Sequence, residues 1–157
     1  MTSKIADGTL GDVPVSVTVM DDGNVEASLV TGSGCYIAVS SPRGDFSVRS
    51  PSGEVIVPDG DGVFEAPGFY LRASGEQRCG GGTDVLSDRA GNVLFKVTSF
   101  LGAMCSGSTI HVLGDLEAVK TETRYSIVGK DAFTDTKVFL PDGSTFETRE
   151  VRPAITE

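Results

Sequence analysis

The feature that most constrains this chain is the short distance between its turns. Apolar runs are brief, alternate with polar residues, and stop at clusters of Gly, Asp, Asn and Ser. Asp88-Arg89-Ala90-Gly91-Asn92, followed by Val93-Leu94-Phe95-Lys96-Val97, states the pattern most clearly. Gly and Asn tolerate positive φ and so suit the turn. The alternation that follows predicts a strand with Val93, Phe95 and Val97 on one face and Leu94 and Lys96 on the other.

The same arrangement recurs. Asp21-Asp22-Gly23-Asn24 leads into residues 25–30, Ser52-Gly53-Glu54 into Val55-Ile56-Val57, and Pro141-Asp142-Gly143-Ser144 into Thr145-Phe146-Glu147. Upstream of the first of these, residues 14–20 alternate strictly through Val15, Val17 and Val19, so a hairpin is expected over residues 14–30. Cys35, Ile37 and Val39 are in phase in a further run. No run has the length and period of an ordinary amphipathic helix. The turn glycines Gly23, Gly53, Gly91 and Gly143 are unevenly spaced, which argues against a solenoid.

These features predict an all-β fold. It would be an antiparallel sandwich or irregular barrel of about a dozen short strands in a single domain over residues 1–157. Residues 1–12 read as a loose arm or a short edge strand. Residues 74–83 contain Cys79-Gly80-Gly81-Gly82 and form the longest breaker region. They read as a mobile loop and as the boundary between two halves of that domain.

Charge narrows the partners. The 157 residues carry 13 Lys and Arg against 22 Asp and Glu, a net charge of −9. Nucleic acid is thereby disfavoured, because binding phosphate requires a basic face. Residues 1–78 hold 5 basic and 11 acidic side chains, and residues 79–157 hold 8 and 11, so an anion-facing surface would lie in the second half. The three cysteines, Cys35, Cys79 and Cys105, are odd in number and widely spaced. They form neither a disulfide framework nor a CxxC zinc site. The N-terminal residues lack an apolar run, and no window has the length of a membrane-spanning helix. The economical expectation is a cytoplasmic protein.

Residues 83–123 resemble the LURP-one-related, tubby-like family. The matching residues are Asp88, Gly91, Asn92, Leu94, Phe95, Lys96 and Val97, followed by a break and further strands around Gly114-Asp115. The likeness covers about a quarter of the chain. It implies a closed twelve-stranded barrel around a hydrophobic C-terminal helix, although residues 135–157 carry no apolar helical run. It also implies a non-catalytic module that binds anionic phospholipid through basic side chains. Lys96 on the matching strand and Arg89 in the matching turn would serve, together with Lys120 and Arg124.

Other constellations can be weighed against plainer readings. Cys105 and His111, the only histidine, could pair as nucleophile and base in a cysteine-dependent hydrolase. The plainer reading is a thiol in an apolar turn and an outward imidazole. Asp21, Asp22, Asp59 and Asp61 could ligate calcium, but Asp is also what turns require. Gly80-Gly81-Gly82-Thr83 lacks the Lys and the spacing of a phosphate loop. Arg43-Gly44-Asp45 matches the integrin-binding tripeptide in a turn, but so short a motif is common by chance. Sheet edges are the remaining feature, because an open sandwich offers them to partners or to copies of itself. Pro14, Pro67 and Lys137 are the residues that would protect them.

The sequence reading is therefore a non-catalytic binding or assembly module, without cofactor or metal. It would act through sheet edges and loops on a protein partner or on itself.

Overall fold

A computed structural model describes residues 3–41, 45–78, 81–101, 106–112, 120–140 and 142–153. It is all-β, with thirteen strands among the described residues: β1 (Ser3–Leu10), β2 (Val13–Val19), β3 (Val25–Thr31), β4 (Gly34–Ser40), β5 (Phe46–Arg49), β6 (Val63–Ala66), β7 (Phe69–Arg78), β8 (Gly81–Ser87), β9 (Val93–Leu101), β10 (Ser106–Val112), β11 (Lys120–Val128), β12 (Asp131–Phe139) and β13 (Thr145–Pro153). They form two antiparallel sheets, β1 to β5 and β6 to β13, and in both the spatial order is the order of the chain. Each strand pairs with its sequence neighbours, so the fold is two meanders joined through residues 50–62.

One turn is used five times among the described residues. At Met20, Ser50, Asp59, Asp88 and Leu140 the N–H donates to the carbonyl four residues on. The glycine at the fourth position donates back to the first residue's carbonyl. Those glycines, Gly23, Gly53, Gly62, Gly91 and Gly143, have φ of +88°, +90°, +80°, +93° and +90°. This is a three-residue hairpin connection that closes on a left-handed residue. Asp supports it locally: Asp88 Oδ1 accepts from the Asn92 N–H at 2.8 Å, and Asp59 Oδ1 from the N–H groups of Asp61 and Val63.

The core lies between the sheets. Val15, Val17 and Val19 of β2 and Val25, Ala27 and Leu29 of β3 point into it. Phe64, Phe69, Leu71, Leu86, Leu94, Phe95 and Val97 of the larger sheet meet them. Two stacked aromatic pairs cross the gap: Tyr36 on Phe69 with centroids 4.0 Å apart, and Phe46 on Phe95 at 6.0 Å.

Several expectations are corrected. Of the two forms expected for residues 1–12, residues 3–10 take the edge strand, paired with β2, and not the loose arm. Residues 74–78 and 81–83 are paired strand rather than mobile loop. Glycine serves close approach there: a Cβ on Gly75 would lie 2.0 Å from Asp84 Oδ1 and 2.6 Å from the Thr83 carbonyl oxygen. The break between the two sheets falls instead at residues 50–62. Leu94 does not alternate with Phe95; both are buried, because a register shift between Leu86 and Ser87 inserts an extra residue in β9. In β4 it is Tyr36 and Ala38 that turn inward, with Cys35 exposed. Residues 55–57 form only one bridge, Arg49 to Val55, and Val57 is 82% exposed. The barrel implied by the tubby-like resemblance is not formed: the sheets end at open edges, and no helix occurs among the described residues.

Candidate functional site

Antiparallel register places residues that face one another on the same side of a sheet. On the outer face of the larger sheet one lateral row reads Val85, Lys96, His111, Lys120, Phe139. Lys96 and Lys120 are thus brought to one row, on either side of the His111 position. Lys120 is not free there: its Nζ lies 3.0 Å from Glu122 and 5.4 Å from the Phe139 ring centroid. Arg124 stands two rows away, facing Asp135. Arg89 is elsewhere, in the β8–β9 turn, where it donates to Glu65 at 3.1 Å and covers the Tyr70 ring at 4.0 Å. That places Arg89 as a clamp between its turn and strands β6 and β7. The four basic candidates do not converge on one site.

Cys105, Arg43 and Gly44 lie outside the described residues, so neither the Cys105–His111 pairing nor the tripeptide has a described geometry. Gly81 and Gly82 are part of β8. Among the described residues no group of three or more His, Cys, Asp or Glu side chains is placed to hold a metal ion. No described helix is long and apolar enough to cross a membrane.

Two features stand out that sequence reading did not locate. The first is the free edge of the larger sheet. Of the four edge strands, β5 and β6 have four residues each and β1 has eight, whereas β13 has nine and is exposed from Arg149 to Pro153. None of the expected edge protectors sits on an edge strand. Pro14 lies on β2, Pro67 lies between β6 and β7, and Lys137 lies on the interior strand β12. Val151 on β13 is 52% exposed, and Ile127 and Val128, at the end of β11 with β12 between them and β13, are 71% and 66% exposed.

The outer face of β11 to β13 is a charge lattice. Glu122 faces Lys137, which faces Glu147; Arg124 faces Asp135, which faces Arg149. Arg149 grips Asp135 with two hydrogen bonds, Nε to Oδ1 at 2.6 Å and an Nη to Oδ2 at 3.0 Å. That fork holds the Asp135 carboxyl below its usual range against the opposing effect of burial, with the fields of Arg149 and Arg124 adding to it.

The second feature is a polar cleft of about 270 Å³ between the sheets at the β13 end. Asp22, Asn24 and Asp45 reach it from turns of the smaller sheet, and Thr136, Thr148, Glu150 and Arg152 from β12 and β13. It exists because inward positions change chemistry along the larger sheet. They are apolar at Leu71, Leu86, Phe95 and Val97 but hydroxyl-bearing at Thr121, Thr123 and Thr136. Glu150 is ion-paired with Arg152 in its wall.

Comparison with known protein families, curated proteins and solved structures finds no match. The functional reading therefore rests on the geometry of the chain itself.

Proposed function

We propose that this protein is a non-catalytic binding or assembly module that acts through its sheet edges and loops. The observation that carries the reading is β13: nine residues long, at the end of an eight-stranded sheet, with Val151 exposed on it. A strand of this kind presents a row of unpaired N–H and C=O groups, and adding a partner strand is the direct way to satisfy them. Light scattering on a size-exclusion column under reducing conditions tests the reading. A discrete oligomer supports assembly. A 16.4 kDa monomer directs the edge toward a separate protein. A turnover activity abolished by Cys105→Ala would overturn the proposal.

A second reading, a peripheral module for anionic lipid, draws on the row that aligns Lys96, His111 and Lys120. Co-sedimentation with vesicles containing anionic phospholipid tests it. Binding lost in Lys96→Glu would favour it, and equal binding by the variant would remove it.

A further inference from the structure

We infer that the partner of β13 is β13 of a second copy, paired antiparallel about a two-fold axis in a register centred on Thr148. The inference rests on the edge reading above and names its partner and geometry. A two-fold axis perpendicular to the sheet keeps outward side chains outward. One residue must therefore face its own copy, and the others pair symmetrically around it.

Centring on Arg149 sets Arg149 against itself, and centring on Glu147 or Glu150 sets a glutamate against itself. Centring on Thr148 is the longest register of β13 in which no charged side chain meets its own copy. In that register Glu147 faces Arg149 of the second copy, twice by symmetry. Thr145 faces Val151 and partly covers that exposed side chain.

The lattice on the outer face then continues across the seam without a fault. Within one chain the rows are Glu122, Lys137, Glu147 and Arg124, Asp135, Arg149. Joined through the two-fold axis, the first row runs on into Arg149, Asp135 and Arg124 of the second copy. The signs alternate at all six positions. On the inner face, Thr123 and Thr136, whose hydroxyls are 3.4 Å apart, lead to Thr148 and then to the same three threonines of the second copy. Facing threonines and facing opposite charges are both favourable cross-strand pairs. Each chain carries −9, so general repulsion opposes association and the local match must overcome it. A seam of one strand pair is small, and the expected dissociation constant is about 1–100 µM.

The test is sedimentation velocity of the full chain under reducing conditions, from about 5 to 500 µM to bracket that range. Glu147→Lys sets like charges across the seam of its own homodimer, and Arg149→Glu does the same with the opposite sign. Each is expected to weaken the dimer about tenfold or more. Mixed one to one, they restore both opposite-charge pairs, and the dimer is expected to return. Mixing cannot relieve clashes inside a chain, such as a lysine at position 147 beside Lys137, so recovery reports on the seam.

Should circular dichroism show that either variant is unfolded, Thr148→Cys decides. Facing Cα atoms in an antiparallel pair are about 4.5–5.5 Å apart, within disulfide reach. Mild oxidation is then expected to link position 148 to itself, read by mass spectrometry of the joined peptide. Glu150→Cys is the control, displaced by about 13 Å from its own copy.

A wild-type chain that stays monomeric over the whole range overturns the seam but leaves the edge available to another protein. A dimer that survives both charge reversals, fails to return on mixing, or does not link through position 148 also overturns it. The broader reading fails on a different result, a turnover activity, so the two failures are distinguishable.

Discussion

At the scale of single residues, the Arg149 fork on Asp135 governs how the β12–β13 pair responds to pH. The native pKa of Asp135 lies below its ordinary value of 3.8. A carboxylate lowered by folding contributes stability above its unfolded pKa and loses it as pH falls through the native value. The contribution is therefore present at neutral pH and disappears below about pH 4. Arg149→Ala is expected to return the Asp135 titration toward 3.8, read by NMR of its carboxyl. The stability gap between variant and wild type should close in acid; a gap independent of pH would show that the fork has no such role. A purely steric counterpart lies at Gly75. A methyl there would lie 2.6 Å from the Thr83 carbonyl oxygen and 3.0 Å from the Asp84 Cα, so the β7 and β8 backbones must part. Gly75→Ala is expected to cost about 1–3 kcal/mol in a denaturant melt, as overpacking does.

At the scale of elements, legibility followed the turns. Residues 20–24 and 88–92 carried both Asp and Gly where a tight connection needs them, and the hairpins formed there. Residues 74–83 misled because glycine reads as a breaker in sequence, whereas Gly75 is a place where two strands press together. Alternation misled at Leu94, since a one-residue bulge is a property of a strand pair and not of one strand. The edge and the cleft were not legible. Which strand is last, and which threonines face inward, depend on pairing order. The sequence of β11 to β13 looks polar on both faces, yet Thr121 and Thr136 are buried.

Thr121 supplies the prediction at this scale. Its hydroxyl is buried without a hydrogen-bond partner among the described residues, beside Val138 in the facing strand. A buried unmet hydroxyl costs more than the methyl that would replace it. Thr121→Val is expected to stabilise the fold by about 1 kcal/mol, seen as a higher denaturant midpoint at unchanged slope. A loss of similar size would mean that the hydroxyl is satisfied by bound water.

At the scale of the whole molecule, the question is what makes two meanders one protein. Pairing does not, because no strand of β1 to β5 is hydrogen-bonded into the sheet of β6 to β13. Their union depends on the buried layer between them and on residues 50–62. Tyr36 on Phe69, tilted by only 11°, and Phe46 on Phe95 are the largest side chains that span that layer. If the layer is the joint, heating should melt both sheets in one calorimetric transition, with calorimetric and van't Hoff enthalpies equal. A double-mutant cycle on Tyr36→Ala and Phe69→Ala should show coupling of about 0.5–1.5 kcal/mol beyond the separate losses of burial. Two transitions with no coupling would mean that each meander holds itself together. A single transition with coupling means that the two sheets unfold as one unit joined by the aromatic layer. A second chain bound at β13 would then stabilise both sheets against unfolding, since neither unfolds without the other.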